Sequence, residues 1–106
     1  MKKQINICKI QDIPENKGLH FEIEGFDIAV FKIKGDIFVI NNLCPHQHAP
    51  ILYEGSLNNY VLTCPLHGWS FDLKTGLNIN GQGKVKKFNH IISEDNLLIE
   101  INTDSL

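Results

Sequence analysis

Two short stretches decide how this chain is read: Cys44-Pro45-His46-Gln47-His48-Ala49-Pro50 and Cys64-Pro65-Leu66-His67-Gly68-Trp69. The first contains a Cys-x-His and the second a Cys-x-x-His, with seventeen residues between His46 and Cys64. Each pair follows an apolar segment of strand character, and each cysteine precedes a proline. Proline fixes φ and donates no backbone hydrogen bond, so it stiffens a loop without competing for sulfur. Gly68, directly after the second histidine, permits close approach of the backbone to whatever the loop holds.

Two cysteines and two histidines serve either of two inorganic groups. One is zinc in a tetrahedral Cys₂His₂ site. The other is a [2Fe–2S] cluster with both cysteines on one iron and both histidines on the other. The donor set alone does not separate them, so the flanking sequence has to.

Outward from the loops, the chain is a succession of short apolar segments broken by turn residues. Gln4 to Ile10 alternates, with Ile5, Ile7 and Lys9 on one face and Asn6, Cys8 and Ile10 on the other. Leu19 to Ile23 puts Leu19, Phe21 and Ile23 on one face. Ile28 to Ile33 is rich in β-branched and aromatic residues, which fit a pleated surface. Lys34-Gly35-Asp36 reads as a hairpin turn into Ile37-Phe38-Val39-Ile40. Tyr60 to Thr63 and Ser70 to Leu73 read as short strands, the latter running into the turn Lys74-Thr75-Gly76. Val85 to Ile92 and Leu97 to Ile101 read as a final hairpin around Ser93-Glu94-Asp95-Asn96. Pro50 to Asn59 reads as a connection, and one helical turn is expected at Pro14 to Gly18 or after Pro50. The expected class is all-β: one domain over 1–106, an antiparallel sandwich or barrel with a tip formed by the two cysteine loops.

Composition narrows the function. The chain has 106 residues, 42% hydrophobic, with formal net charge −2, and all its basic residues are lysine. Its densest basic run is Lys84, Lys86 and Lys87, read as a solvated strand face. This is not the basic face that nucleic acid requires. No run approaches the length of a membrane span. Asn6, Lys9, Gln11 and Asp12 interrupt any signal-like apolar region after Lys2 and Lys3. A cytoplasmic location is expected, with neither nucleic acid nor membrane as a partner. In a reducing compartment, cysteines beside histidines point to metal before disulfide. Cys8 lies outside the motif and reads as a small buried hydrophobe. His20 and His90 read as surface or satisfied core histidines, and His48 as an exposed loop histidine.

The paired motif resembles the Rieske ferredoxin family. Cys44-Pro45-His46 with Ala49-Pro50 is similar to that family's first cluster loop. Cys64-Pro65-Leu66-His67-Gly68-Trp69-Ser70-Phe71-Asp72 is similar to its second, and Thr75-Gly76 to the turn that follows. The resemblance implies an antiparallel β fold carrying one [2Fe–2S] cluster at its tip. It implies Cys44, His46, Cys64 and His67 as the ligands, with the histidines toward solvent. Thiolates cancel the formal positive charge of a diferric cluster and imidazoles add none, so an electron enters more readily than in an all-cysteine cluster. Respiratory relatives carry a loop-bridging disulfide, where this chain has Ala49 and Leu66. They also carry serine and tyrosine hydroxyls near the sulfurs, where this chain has Trp69 and Phe71. These differences point to a low potential. His48 stands where many relatives have glycine, and the segment from Asn78 to Gly83 lacks their prolines. Within the motif, Trp69 is expected to shield one side of the cluster, and Asp72 to fix a turn through its side chain.

The resemblance implies a one-electron carrier, not an enzyme on its own, that links a flavin-dependent reductase to a terminal oxygenase. A second implied role is the small subunit of a nitrite-reductase-like complex, with a large reductase subunit as partner. A zinc-stabilised interaction module is the third reading. A catalytic oxygenase is excluded: after the cluster takes its ligands, His20, His48 and His90 show no paired spacing with an acid for mononuclear iron.

Overall fold

A computed structural model of the chain describes residues 2–45, 48–66 and 68–102. Among these residues nine strands run in the order β1 (Lys2–Lys9), β2 (Leu19–Ile23), β3 (Phe26–Ile33), β4 (Asp36–Asn41), β5 (Ser56–Asn58), β6 (Val61–Thr63), β7 (Ser70–Asp72), β8 (Asn89–Ser93) and β9 (Asn96–Asn102). They form three antiparallel sheets of three strands, ordered β1-β9-β8, β2-β3-β4 and β5-β6-β7. The all-β expectation holds. Among the described residues the only helical pieces are 3₁₀ turns at Ile10–Asp12 and Leu52–Glu54.

The middle sheet explains the architecture. In β3, Ile28 and Val30 enter one core while Ala29, Phe31 and Ile33 enter the other. In β4, Ile37 and Val39 go with the first set, and Phe38 and Ile40 with the second. Because successive side chains point to opposite faces, a continuous apolar run is what a strand buried on both faces needs. The first core is completed by Ile5, Ile7, Leu97, Ile99 and Ile101 of the terminal sheet. The second is completed by Leu62, Phe71 and Leu73 and contains both Cys44 and Cys64. The β1–β9 register shifts between Asn6 and Cys8, a bulge that leaves Ile7 without a register partner while its side chain stays in the core.

Turn chemistry follows the sequence. Lys34 and Gly35 adopt φ of 52° and 83°, as a two-residue hairpin with the right-handed strand twist demands. Glu15 holds that turn from outside: its carboxylate accepts from Lys34 N and Gly35 N, both at 3.0 Å. The helical turn expected at Pro14 to Gly18 or after Pro50 takes the second place, at Leu52–Glu54, while 14–18 is spent bridging to β3 at Lys32. Two readings are corrected. Pro50 to Asn59 contains a strand, β5, whose single apolar side chain, Leu57, is too weak a signal to register. Val85 to Phe88 is not strand. Val85 enters the second core and Phe88 the first, with Lys86 and Lys87 both exposed between them, so buried and exposed positions do not alternate, and the segment makes only isolated bridges, Lys84 to Leu77 and Lys87 to Ile40.

Candidate metal centre

The two cysteine loops are built alike. In the first, Cys44 N donates to Ala49 O at 3.0 Å, and Leu43 bridges Pro50 at its base. In the second, Cys64 N donates to Trp69 O at 2.7 Å, and β6 pairs with β7 at its base through Thr63 and Ser70. Thr63 Oγ1 and Ser70 Oγ are 2.8 Å apart, which ties the same base through side chains. Each loop is thus closed five residues beyond its cysteine, and each cysteine sits where the chain turns inward from a strand.

Burial and chemistry separate these cysteines from the third. Cys44 and Cys64 are each 1% exposed and share one core. Their thiols lie within interaction distance of each other: burial pushes the Cys64 thiol up, the Leu66 backbone N–H pulls it back down, and the neighbouring Cys44 raises it again. No disulfide joins them. A pair of facing buried thiols with a backbone N–H already aimed at one sulfur is a fitting seat for a group that takes two thiolates. Cys8 is only half-buried against the terminal core, and burial with Asp12 nearby raises its thiol. It is a packing residue, less enclosed than the sequence suggested. His46 and His67, the other two expected ligands, lie outside the described residues.

The chain around the loops is held by polar residues that sequence reasoning passed over. Asn42, two residues before Cys44, is fully buried. Its Nδ2 donates to Asp27 Oδ1 at 2.9 Å, and its Oδ1 accepts from Tyr53 N at 2.8 Å. Its backbone receives Leu52 N and donates to Asp27 O. Asn42 therefore clamps the exit of the first loop to β3. His20 extends the clamp: it lies 2.6 Å from Asp27 Oδ1 and stacks on Tyr53 with centroids 4.8 Å apart. His20, Glu22 and Asp27 also cluster at the surface, but Asp27 Oδ1 is already occupied by Asn42 and His20. The signal for Asn42 was present as a polar residue at the end of an apolar strand, yet its burial is a tertiary fact.

Other motif residues take definite roles. Asp72 Oδ1 accepts from Lys74 N at 2.9 Å, the side-chain turn expected of it. Gly68 has φ of 71° with no protein atom near the position a Cβ would take. Its requirement is thus backbone conformation; crowding by protein is absent. His48 has φ of 56°, which accounts for a position where glycine is the easier residue. It is exposed, as expected. Trp69 is half-buried, tilted against Phe71, and packs on Gly83 of the following loop.

The Rieske [2Fe-2S] domain family matches residues 3–90, a span that contains both loops and all three sheets in whole or part. This chain belongs to the Rieske [2Fe–2S] family. The cofactor of this Rieske domain is a [2Fe–2S] cluster, and the facing thiols of Cys44 and Cys64 suit its thiolate-bound iron. The chain is 35% identical over 75 residues to the ferredoxin component of the naphthalene 1,2-dioxygenase system of Pseudomonas aeruginosa, covering 71% of each chain. A Sphingomonas yanoikuyae B1 ferredoxin superposes with TM-score 0.84 at 25% identity, covering 94% of this chain and 100% of that one. A candidate NADH-dependent nitrite reductase small subunit from Mycobacterium tuberculosis superposes with TM-score 0.87 at 14% identity, covering 97% and 98%, which speaks for the fold alone. As a Rieske domain of ferredoxin type, the chain is a one-electron carrier.

Proposed function

We propose that this Rieske domain, a single unit over 1–106, is the ferredoxin of a multicomponent oxygenase, passing electrons from a flavin-dependent reductase to a terminal oxygenase in the cytoplasm. The observation that carries the reading is the pair of buried thiols in matched loops, together with identity to a dioxygenase ferredoxin over two thirds of the chain. Cys44, Cys64, His46 and His67 are proposed as the ligands. When bound, the cluster supplies a one-electron store of adjustable potential. The chain's own residues hold the thiols in position, exclude water from them with Leu62 and Phe71, and lend the Leu66 N–H to the Cys64 sulfur. Among the described residues no helix is long and apolar enough to cross a membrane. Identity at two-thirds coverage favours the ferredoxin role over a nitrite reductase subunit, whose likeness is one of fold.

Iron and sulfide analysis with an electron paramagnetic resonance spectrum of the reduced protein tests the site. Cys44→Ser, Cys64→Ser, His46→Ala and His67→Ala should each lose the cluster, because neither hydroxyl nor methyl replaces the native donor on iron. Cys8→Ala should keep it, since Cys8 only packs. Full cluster content in any of the first four variants removes that residue from the site. A colourless zinc-loaded protein would overturn the whole reading.

A further inference from the structure

The lysine run read from sequence as a solvated strand face is not on a strand. Lys84, Lys86 and Lys87 are exposed on a strap that crosses between the two cores, anchored by Val85 and Phe88. Three backbone bonds pin it: Val85 N to Gly76 O at 2.8 Å, Asn41 N to Lys86 O at 2.8 Å and Phe88 N to Val39 O at 2.9 Å. The strap passes beside the first loop. Lys84 and Lys86 line a shallow depression of about 190 Å³ together with Leu43, Pro45 and His48, and no acidic residue lines it. Among the described residues neither lysine has an ion-pair partner, although Lys86 Nζ lies 5.3 Å over the Phe88 ring. Lys86 and Lys87 share the next depression with one acid, Glu100. On the other side, the strap continues into a loop with exposed Leu77 and Ile79, and Leu66 of the second loop is also exposed.

We propose that Lys84 and Lys86 form a basic seat, beside the first cluster loop, for an acidic surface on the redox partner. The proposal rests on the electron-carrier reading and adds the partner's chemistry to it. Net charge argues the other way: at −2, the molecule as a whole repels an acidic surface. The local field decides, because salt screens charges beyond about 10 Å while leaving the contact zone intact. The backbone that carries these lysines is pinned, so docking has only their side chains to order. Leu66, Leu77 and Ile79 supply apolar surface that a partner can cover once steering has brought it in.

Voltammetry at monolayer-coated gold electrodes tests this with defined surfaces. A carboxylate-terminated monolayer stands for an acidic partner and an ammonium-terminated one for a basic partner. Electron exchange should be faster on carboxylate and should fall as salt rises. Lys84→Glu with Lys86→Glu should slow exchange on carboxylate by about tenfold, the lower end of steering effects, with midpoint and paramagnetic resonance spectrum unchanged. Lys2→Glu with Lys9→Glu makes the same change in net charge on β1 and should leave the rate nearly unaltered. Faster exchange on ammonium, or equal losses in both double variants, overturns the seat. Absence of any reversible wave, with no cluster spectrum, overturns instead the carrier reading on which it rests.

Discussion

At the scale of single residues, the site depends on groups that never touch the cofactor. Asn42 shows this best. All its side-chain hydrogen-bonding atoms are used in a space from which water is excluded, and they join β3 to the segment after the first loop. Asn42→Ala leaves Tyr53 N without its acceptor, while Asp27 Oδ1 keeps His20. An orphaned buried donor costs about 1–3 kcal/mol, so urea unfolding of the variant should show a loss in that range. Loss of iron should also be faster, because the first loop has one fewer tie at its exit. Unchanged stability together with an unchanged rate of iron loss would show that the clamp is redundant.

Among elements, the hairpins carry the most readable consequences. The β8–β9 turn is made by Glu94 and Asp95, at φ of 50° and 69°, with no glycine to relieve either. Left-handed conformation disfavours a non-glycine residue by about 1–2 kcal/mol, and asparagine bears it better than glutamate. Glu94→Asn should therefore stabilise the protein by part of that penalty of about 1–2 kcal/mol, read as a higher urea midpoint at unchanged slope; a lower midpoint would mean that the glutamate makes a contact worth more than the strain. His90 on β8 is an acid-sensitive group of the terminal sheet. His90 is exposed on the strand, yet desolvation of its ring, with Lys87 nearby, draws it below its ordinary range. A lowered pKa means the unfolded chain binds the proton more readily. Stability is therefore highest above the ordinary histidine value of about 6.5 and declines as pH falls through it. His90→Gln should flatten that decline, as urea midpoints between about pH 5 and 7 would register. An identical slope in both proteins would locate the acid sensitivity elsewhere.

For the molecule as a whole, the measurable property is the potential. Three sheets enclose two cores, and the cysteines belong to the core that the middle sheet shares with β6 and β7. Phe71 is fully buried there without a hydroxyl, and the Ser70 hydroxyl is engaged by Thr63. Neither position therefore offers a free hydroxyl to stabilise added negative charge on reduction. The midpoint should lie in the lower part of the Rieske range, roughly −150 to 0 mV, as protein-film voltammetry would measure. A value above about +150 mV would show that donors outside these residues act on the cluster.

The sequence by itself determined the donor types, their spacing and the all-β class. These are local properties: alternation, turn chemistry and a paired motif are legible along a chain without knowing what it folds against. The strand between the two cores was legible as a strand from its β-branched and aromatic residues, while the burial of both its faces was not. Tertiary structure alone decided what depends on contacts between distant segments. It brought Cys44 and Cys64 together, buried Asn42 against Asp27 and Tyr53, and turned Val85 and Phe88 into opposite cores, which lifted Lys84 and Lys86 beside the first loop. No periodicity encodes such meetings, because burial and electrostatic surroundings belong to the space between segments and not to any one of them.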